Sequence, residues 1–342
     1  MKGRVVITGG GTGGHLKVAK AFIDEFYKRG TPAIFIGSTS GQDRAWFEND
    51  KKLKKAIFLD TKGVVNKNLL GKIGSLFKIG KEVNHCLDIF DTADVQTVIS
   101  VGGFSAAPAT FAAILSYGCK LYIHEQNSKM GKLNEITSKF ATEVFSSYLE
   151  KSKVKDYPVS SEFFDNARMR EKIETIIFLG GSQGAVAINN FALSVAKKLN
   201  DLGIKIIHQT GKNDFQRVKQ EYERLEIEAD VFDFTSDIAK KMSEADFAIS
   251  RSGASTLWEL TANALPCLFV PYPYAAKDHQ YYNAKFLKDK KLCFVCREKN
   301  LTPQVIDKVL TCDVHSISKG LVDSIGCDAI ETLVDIIVEN NQ

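Results

Sequence analysis

Nowhere in its 342 residues does the chain run to the roughly 18 consecutive apolar residues that would cross a bilayer as a helix. The sequence passes from Met1-Lys2-Gly3-Arg4 straight into Val5-Val6-Ile7, which leaves no room for the apolar core of a secretory signal, so a cytoplasmic protein is expected. Its seven cysteines are an odd number, and Cys86, Cys119, Cys267, Cys312 and Cys327 are scattered among apolar neighbours, the usage of reduced thiols in cores. The one close pair, Cys293-x-x-Cys296, lies in LCFVC, which reads as a buried strand and has no second pair to complete a metal site. Basic residues are not interleaved with aromatics along the chain, which argues against nucleic acid as a partner.

Hydrophobic residues at 44% and charged residues at 25% suit a soluble globular protein, and the length suits two domains of roughly 150 residues. The net charge of +4 is mild but uneven: between Lys51 and Lys81 nine lysines stand against the single acid Asp60. Within that stretch Leu69, Leu70, Ile73, Leu76 and Phe77 alternate with Lys72 and Lys78, as an interfacial segment on anionic lipid would; a solvated basic face is the other reading.

Arg4–Thr8 reads as a buried parallel strand, and Leu16, Ala19, Ile23 and Phe26 then recur at helical spacing until Gly30 supplies a cap. Strands at 33–36, 97–101 and 120–123 continue the alternation, with a helix over 108–117 closed by Gly118. TIIFLGGSQGA, from Thr175, restarts the pattern, and strands at 205–208, 247–250 and 267–271 complete a second set. The chain is thus an α/β protein with two Rossmann-like, doubly wound parallel-sheet domains, and ligands are expected at the carboxyl ends of the strands, in a cleft between them. The segment from Val154 to Arg170, with Pro158 and weak periodicity, suits a linker.

Gly9, Gly11 and Gly14 spell G-x-G-x-x-G, but a dinucleotide enzyme should place an acid at the end of the second strand to bind ribose. Here that strand runs into Gly37-Ser38, so the dehydrogenase reading falls. Successive glycine amides before a helix bind anions instead, and there are three such loops: Gly9 to Gly14, Gly102-Gly103, and Gly180 to Gly184. Three loops imply ligands carrying more than one phosphate. His15 follows the first loop at a helix start, where the dipole disfavours the imidazolium and leaves the ring able to accept a proton near pH 7. Ser252-Gly253-Ala254-Ser255-Thr256 puts small residues and hydroxyls at another helix start, with Glu259 one turn inside. Pyrophosphate could sit near those N–H groups while the carboxylate takes a ribose diol; alone, Glu259 equally suits a solvated helix face.

The segments GGGTGGH, VGGFSAAP, HEQNSKMGKLN, GGSQGAVAIN, SRSGASTLWE and DHQYYNA, in this order from about residue 4 to 286, closely resemble the MurG family of bacterial glycosyltransferases. The resemblance implies a GT-B fold and transfer of N-acetylglucosamine, with inversion, from UDP-N-acetylglucosamine to the 4-hydroxyl of the muramyl-pentapeptide on undecaprenyl diphosphate. That is the lipid I to lipid II step of peptidoglycan synthesis, on which cell shape and division depend. It implies no cofactor and no essential metal, and an acceptor- and membrane-binding domain over 1–158 plus 326–342 with a UDP-sugar domain over 159–325. It implies a peripheral position on the cytoplasmic face of the inner membrane, with other cell-wall synthesis proteins as partners.

Carried over by residue, the resemblance puts Thr12, Gly13 and Gly14 at the donor, Asn127 at the sugar and Ser182 near the donor phosphates. Thr235 takes the position whose backbone meets uracil; Ala254, Ser255, Thr256, Leu257 and Trp258 form the helix start beneath the nucleotide; Glu259 takes the ribose and Gln280 the sugar. Gly102 and Gly103 meet the acceptor diphosphate. His15 is the candidate catalytic base and Glu125 the second, though Glu125, beside His124 in a loop, equally suits a structural role.

Two positions depart from the family pattern. Ser160 stands after Pro158-Val159 where an arginine usually meets the donor pyrophosphate, with Arg251 or a lysine as its replacement; Val18 stands where proline is common. The alternatives are another GT-B UDP-sugar transferase with a different lipid acceptor, and a nucleotide-sugar binding module without turnover.

Overall fold

The computed structural model describes residues 4–61, 69–181 and 184–341, with the backbone alone over 69–77. The chain divides into two compact units, Met1–Pro158 with Asp328–Gln342, and Val159–Cys327.

The first unit is built on six parallel strands: β1 (Arg4–Thr8), β2 (Ile34–Ser38), β3 (Lys55–Leu59), β4 (Val95–Ser100), β5 (Lys120–His124) and β6 (Glu143–Phe145), in the order β3-β2-β1-β4-β5-β6. The second repeats it with β7 (Thr175–Leu179), β8 (Lys205–Gln209), β9 (Asp230–Phe232), β10 (Phe247–Ser250), β11 (Cys267–Phe269) and β12 (Phe294–Val295), in the order β12-β11-β10-β7-β8-β9. Counted from its own first strand, each sheet runs 3-2-1-4-5-6, the doubly wound order whose direction switches between the first and fourth strands. The duplication read from the glycine loops is therefore present strand for strand.

Central strands are continuous apolar runs because helices cover both faces of a parallel sheet. Val6 and Ile7 of β1, and Ile176, Ile177 and Phe178 of β7, have no exposed surface. The strands that the sequence pattern leaves out, β3, β6, β9 and β12, are the sheet edges: β6, β9 and β12 have only two or three residues each, and β3, although Ala56 to Leu59 is apolar, is mostly half-buried and opens on an exposed lysine. The LCFVC stretch supplies only two strand residues, Phe294 and Val295, and both are half-buried at the edge of the sheet. Burial pushes the Cys293 thiol up to about 12, so it stays protonated.

Two segments carry more structure than the sequence pattern shows. The division between the two units falls at Pro158 and Val159, within the 154–170 segment read as a linker, and this segment carries the helix Ser161–Asp165, with Tyr157, Val159, Phe163 and Arg170 buried. The Arg170 guanidinium, wholly enclosed, donates to the carbonyls of Ala245 at 3.2 Å, Met242 at 3.0 Å, Arg168 at 2.5 Å and Asn263, and to Asn263 Oδ1 at 2.7 Å. Burial lowers its pKa to about 9, still high enough to keep the charge. The last part of the lysine-rich stretch, residues 69–81, whose glycines weaken it as a helix, is nevertheless the start of a 25-residue helix, Leu69–Ala93, that packs on the helix Ala107–Leu115. A Cβ at Gly80 would meet nothing within 4 Å, so glycine there fills an open position. No helix among the described residues is long and apolar enough to cross a membrane.

The last helix, Ala329–Glu339, belongs to the first unit and packs along Gly13–Lys28. Arg29 joins them, its Nη1 2.5 Å from Asp335 and its Nε 2.6 Å from Glu25.

Two histidines are buried without charge. His208 sits with Nδ1 3.0 Å from the Tyr222 hydroxyl and Nε2 3.1 Å from Asn189 Oδ1, and burial lowers its pKa to about 3. His124, on β5, is lowered to about 3 by burial and then by the nearby His15. Each takes up a proton on unfolding below its ordinary value of 6.5, so the native state is weakened progressively as pH falls from about 6.5 towards 3. Urea midpoints for the second unit should accordingly fall less steeply between pH 6 and 4 in His208→Gln than in the wild type, the difference approaching about 1.4 kcal/mol per pH unit. Parallel acid limbs would contradict this.

Candidate functional site

In the first unit the sequence concentrates polar chemistry at the carboxyl ends of β1, β4 and β5. Gly9 and Gly11 adopt φ of 125° and 82°, a conformation open to glycine, and carry the chain from β1 into the helix Gly13–Lys28. Gly102 and Gly103, both at φ 83°, do the same after β4. The two loops touch backbone to backbone: Gly10 N donates to Gly102 O at 3.2 Å, and a Cβ on Gly103 would lie 2.3 Å from Gly10 O.

The first helical bond of Gly13–Lys28 is Leu16 N to Thr12 O, so the amides of Gly13, Gly14 and His15 lie at its positive end. The Thr12 hydroxyl lies 2.9 Å from His15 Nδ1, which orients the ring, and His15 Cδ2 comes to 3.6 Å from where a Gly102 Cβ would be. His15 and the Gly102 loop are thus brought together. Val18, the departure from proline, is fully buried within an unbroken helix.

Glu125 is 4% exposed, and both its oxygens are committed. Oε1 accepts from Asn127 N at 2.9 Å, and Oε2 accepts from Gly131 N and Asn134 Nδ2, each at 2.9 Å. The carboxylate folds the loop after β5, fixing Asn127 and placing Asn134 beside Gly102, whose Cβ would lie 3.1 Å from Asn134 Nδ2. Sequence reasoning gave no role to Asn134, the last residue of HEQNSKMGKLN.

It also missed Asp43. This residue has no exposed surface, and its carboxylate accepts from Gly11 N at 2.6 Å and from Ser38 N at 2.9 Å. It is the nearest acid after the second strand, five residues past its end, and it spends its oxygens on the protein's own backbone. A ribose has no carboxylate to bind there, which strengthens the case against a dinucleotide.

In the second unit the loop after β7 turns through Gly181 and Gly184, at φ 71° and 78°. Gly180 N donates to Gln209 O at 2.9 Å, and a Cβ on Gly184 would lie 2.7 Å from Thr210 O, so this loop rests on the end of β8. Ser182 lies outside the described residues.

Gly253 caps the helix Ala254–Ala262, and Leu257 N to Gly253 O begins its ladder, leaving the amides of Ala254, Ser255 and Thr256 at the positive end. Leu257 is fully buried and Trp258 stacks on Phe286 at 5.0 Å, so these two side chains pack inward. Glu259 is 5% exposed, which excludes the solvated helix face. Asn283 Nδ2 donates to Ser252 O at 3.2 Å and ties the helix His279–Asp289, which carries Gln280, to this helix start. The Gln280 amide oxygen accepts from Tyr272 N at 2.9 Å. Thr235 lies half-buried after β9, its hydroxyl accepting from Asp237 N at 3.0 Å.

Arg251, one candidate to stand in for the arginine missing at Ser160, is engaged within its own unit. It donates to Val270 O at 3.0 Å, pairs with Glu298 at 2.6 Å and lies over the Tyr272 ring, holding the ends of β10 and β11 together.

Comparison with known proteins decides the family. The glycosyltransferase family 28 N-terminal domain profile matches residues 5–146 and its C-terminal counterpart residues 175–324. A protein of Campylobacter jejuni subsp. doylei named UDP-N-acetylglucosamine--N-acetylmuramyl-(pentapeptide) pyrophosphoryl-undecaprenol N-acetylglucosamine transferase is 48% identical over 338 residues, 98% of each chain. A protein of the same name from Sulfurovum sp. is 48% identical over 97% of this chain and 98% of its own. The chain belongs to the MurG family of glycosyltransferases. The crystal structure of Acinetobacter baumannii MurG superimposes on it with a TM-score of 0.82 at 26% identity, covering 98% of this chain and 99% of that one. As a MurG-family enzyme with two six-stranded parallel sheets, the protein has the GT-B fold and is a hexosyltransferase.

Proposed function

We infer that the protein moves N-acetylglucosamine from UDP-N-acetylglucosamine to the 4-hydroxyl of the muramyl-pentapeptide carried on undecaprenyl diphosphate, converting lipid I to lipid II with inversion. The observation that carries the reading is near-half identity, over essentially the whole length, to relatives named for this transfer.

The muramyl oxygen attacks the anomeric carbon from the face opposite the leaving group. Its bond to that carbon forms as the carbon–oxygen bond to UDP breaks, and UDP departs with the electron pair. His15 accepts the hydroxyl proton, its ring oriented by the Thr12 hydroxyl against Nδ1. Charge growing on the diphosphate meets the amides of Ala254, Ser255 and Thr256 and the positive end of their helix. Glu259 receives the ribose hydroxyls, Thr235 lies at uracil, and Gln280, its oxygen already bonded to Tyr272, offers its amide N–H to the sugar. Ser182 lies near the donor phosphates. Thr12, Gly13 and Gly14 approach the donor, Asn127 the sugar, and Gly102 and Gly103 the acceptor diphosphate. Glu125, with three N–H donors on its oxygens, serves as the brace of this loop and not as a second base.

The polyprenyl tail requires contact with a membrane, and the reading puts the protein peripherally on the cytoplasmic face of the inner membrane. The face offered is that of the helix Leu69–Ala93 and its neighbours. Leu115 and Tyr117, at the end of the helix Ala107–Leu115 that packs on it, are exposed large apolar residues, and Ile136 and Phe140 are exposed on the short elements after β5, the first of which packs on Ala107–Leu115. Lys78 is exposed and paired with Asp60 at 2.8 Å; the side chains of Leu69, Leu70, Lys72, Ile73, Leu76 and Phe77 lie outside the described residues.

Two measurements test these assignments. Replacing His15 by Ala should lower kcat by at least about a hundredfold while the dissociation constant for UDP stays within about twofold, the pattern of a lost base; transfer at the wild-type rate would remove His15 from that role. Binding to vesicles containing anionic lipid should weaken by about tenfold or more in Lys72→Glu/Lys78→Glu and with rising salt, at roughly 1 kcal/mol per lysine. Unchanged binding would discard the basic face.

A further inference from the structure

The buried carboxylate of Asp43 has no part in the transfer chemistry described above, yet it joins the end of β2 to the glycine loop that leads into His15. Four observations converge on it. It is fully enclosed, and its two oxygens accept from Gly11 N at 2.6 Å and Ser38 N at 2.9 Å. A Cβ on Gly10 would meet three atoms before any others, all of the Asp43 carboxyl group, at 2.5 to 2.7 Å. A Cβ on Gly37 would come to 2.9 Å from Asp43 Oδ2. The glycines on both sides thus leave a socket that the carboxylate fills.

A run of glycines has many backbone conformations of similar energy, so sequence alone does not hold a loop such as Gly9-Gly10-Gly11 in one of them. A charge-assisted bond to the Gly11 amide does, because that acceptor is fixed by the sheet through Ser38. From Gly11 the constraint passes along the backbone to Thr12, whose hydroxyl sets the His15 ring through Nδ1. Asp43 touches neither imidazole nor any group proposed to meet substrate.

We propose that Asp43 is a positioning residue for the transfer step: it fixes the glycine loop on β2 so that Thr12 and His15 hold the imidazole in its productive orientation. The proposal rests on the reading of His15 as the base. It accounts for an acid placed where a nucleotide-binding carboxylate might be sought but turned wholly inward.

The test is kinetic, on the full-length enzyme. Asp43→Asn keeps the shape and one acceptor oxygen but faces an amide N–H with an NH2 group. Its kcat should fall by about tenfold or more, since a displacement of about 1 Å at a catalytic group costs up to a hundredfold. The KM for UDP-N-acetylglucosamine and the affinity for UDP should stay within about twofold. A kcat within twofold of wild type overturns the proposal, as does a loss of kcat matched by an equal loss of UDP affinity, the sign of general disruption. Gly10→Ala, which presses on the same carboxylate without a positive φ to strain it, should show the same split; it decides the question if Asp43→Asn does not fold, and wild-type kcat in it overturns the proposal. The double variant His15→Ala/Asp43→Asn separates the two readings. If Asp43 acts through His15, the double variant is no slower than His15→Ala. A further tenfold loss overturns the route through His15 while leaving the base in place, whereas undiminished transfer by His15→Ala alone overturns the base.

Discussion

The backbone contact between the loops after β1 and β4 is the constraint on which the first unit's candidate site depends. Gly10 N reaches Gly102 O at 3.2 Å, and side chains at Gly9 or Gly103 would strike backbone oxygens at 2.5 and 2.3 Å. Only glycine allows two strand ends to turn so close together. The closeness has a chemical result: the positive end of Gly13–Lys28, the imidazole of His15 and the left-handed Gly102-Gly103 turn are packed within one region. Behind that contact stand two carboxylates, Asp43 and Glu125, both buried and both used to hold loops.

The second unit repeats the strand order without repeating this contact. Its glycine loop leans on the end of β8 through Gln209 and Thr210, and its helix start at Gly253 is braced instead by Asn283. One duplicated sheet thus carries two differently built ends. The first gathers an imidazole among glycines; the second gathers helix amides, a buried Glu259 and Gln280. That division suits an enzyme whose acceptor must lose a proton and whose donor must release a diphosphate.

Much of this was legible in the sequence, for identifiable reasons. Inner parallel strands carry apolar centres, so β1, β2, β4, β5, β7, β8, β10 and β11 announce themselves, and glycines after several of them mark the turns. What stayed hidden depends on long-range pairing. Asp43 looks like a solvated loop acid because nothing local reveals that one of its oxygens reaches Gly11, 32 residues away. Arg170 looks like a linker residue because all but one of the carbonyls it binds, those of Met242, Ala245 and Asn263, lie more than 70 residues later. The bracing contacts of Glu125 are hidden because they depend on where Asn127, Gly131 and Asn134 fold back to its carboxylate. The helix Leu69–Ala93 overrode its glycines because a long helix docked on another gains from packing what local propensity loses.

The central claim is the sugar and its destination. The measurement that tests it most directly is transfer of labelled sugar from a panel of UDP-sugars to a polyprenyl-diphosphate muramyl-peptide. The account predicts transfer from UDP-N-acetylglucosamine with one equivalent of UDP released per disaccharide formed. Transfer from UDP-glucose but not from UDP-N-acetylglucosamine would contradict it.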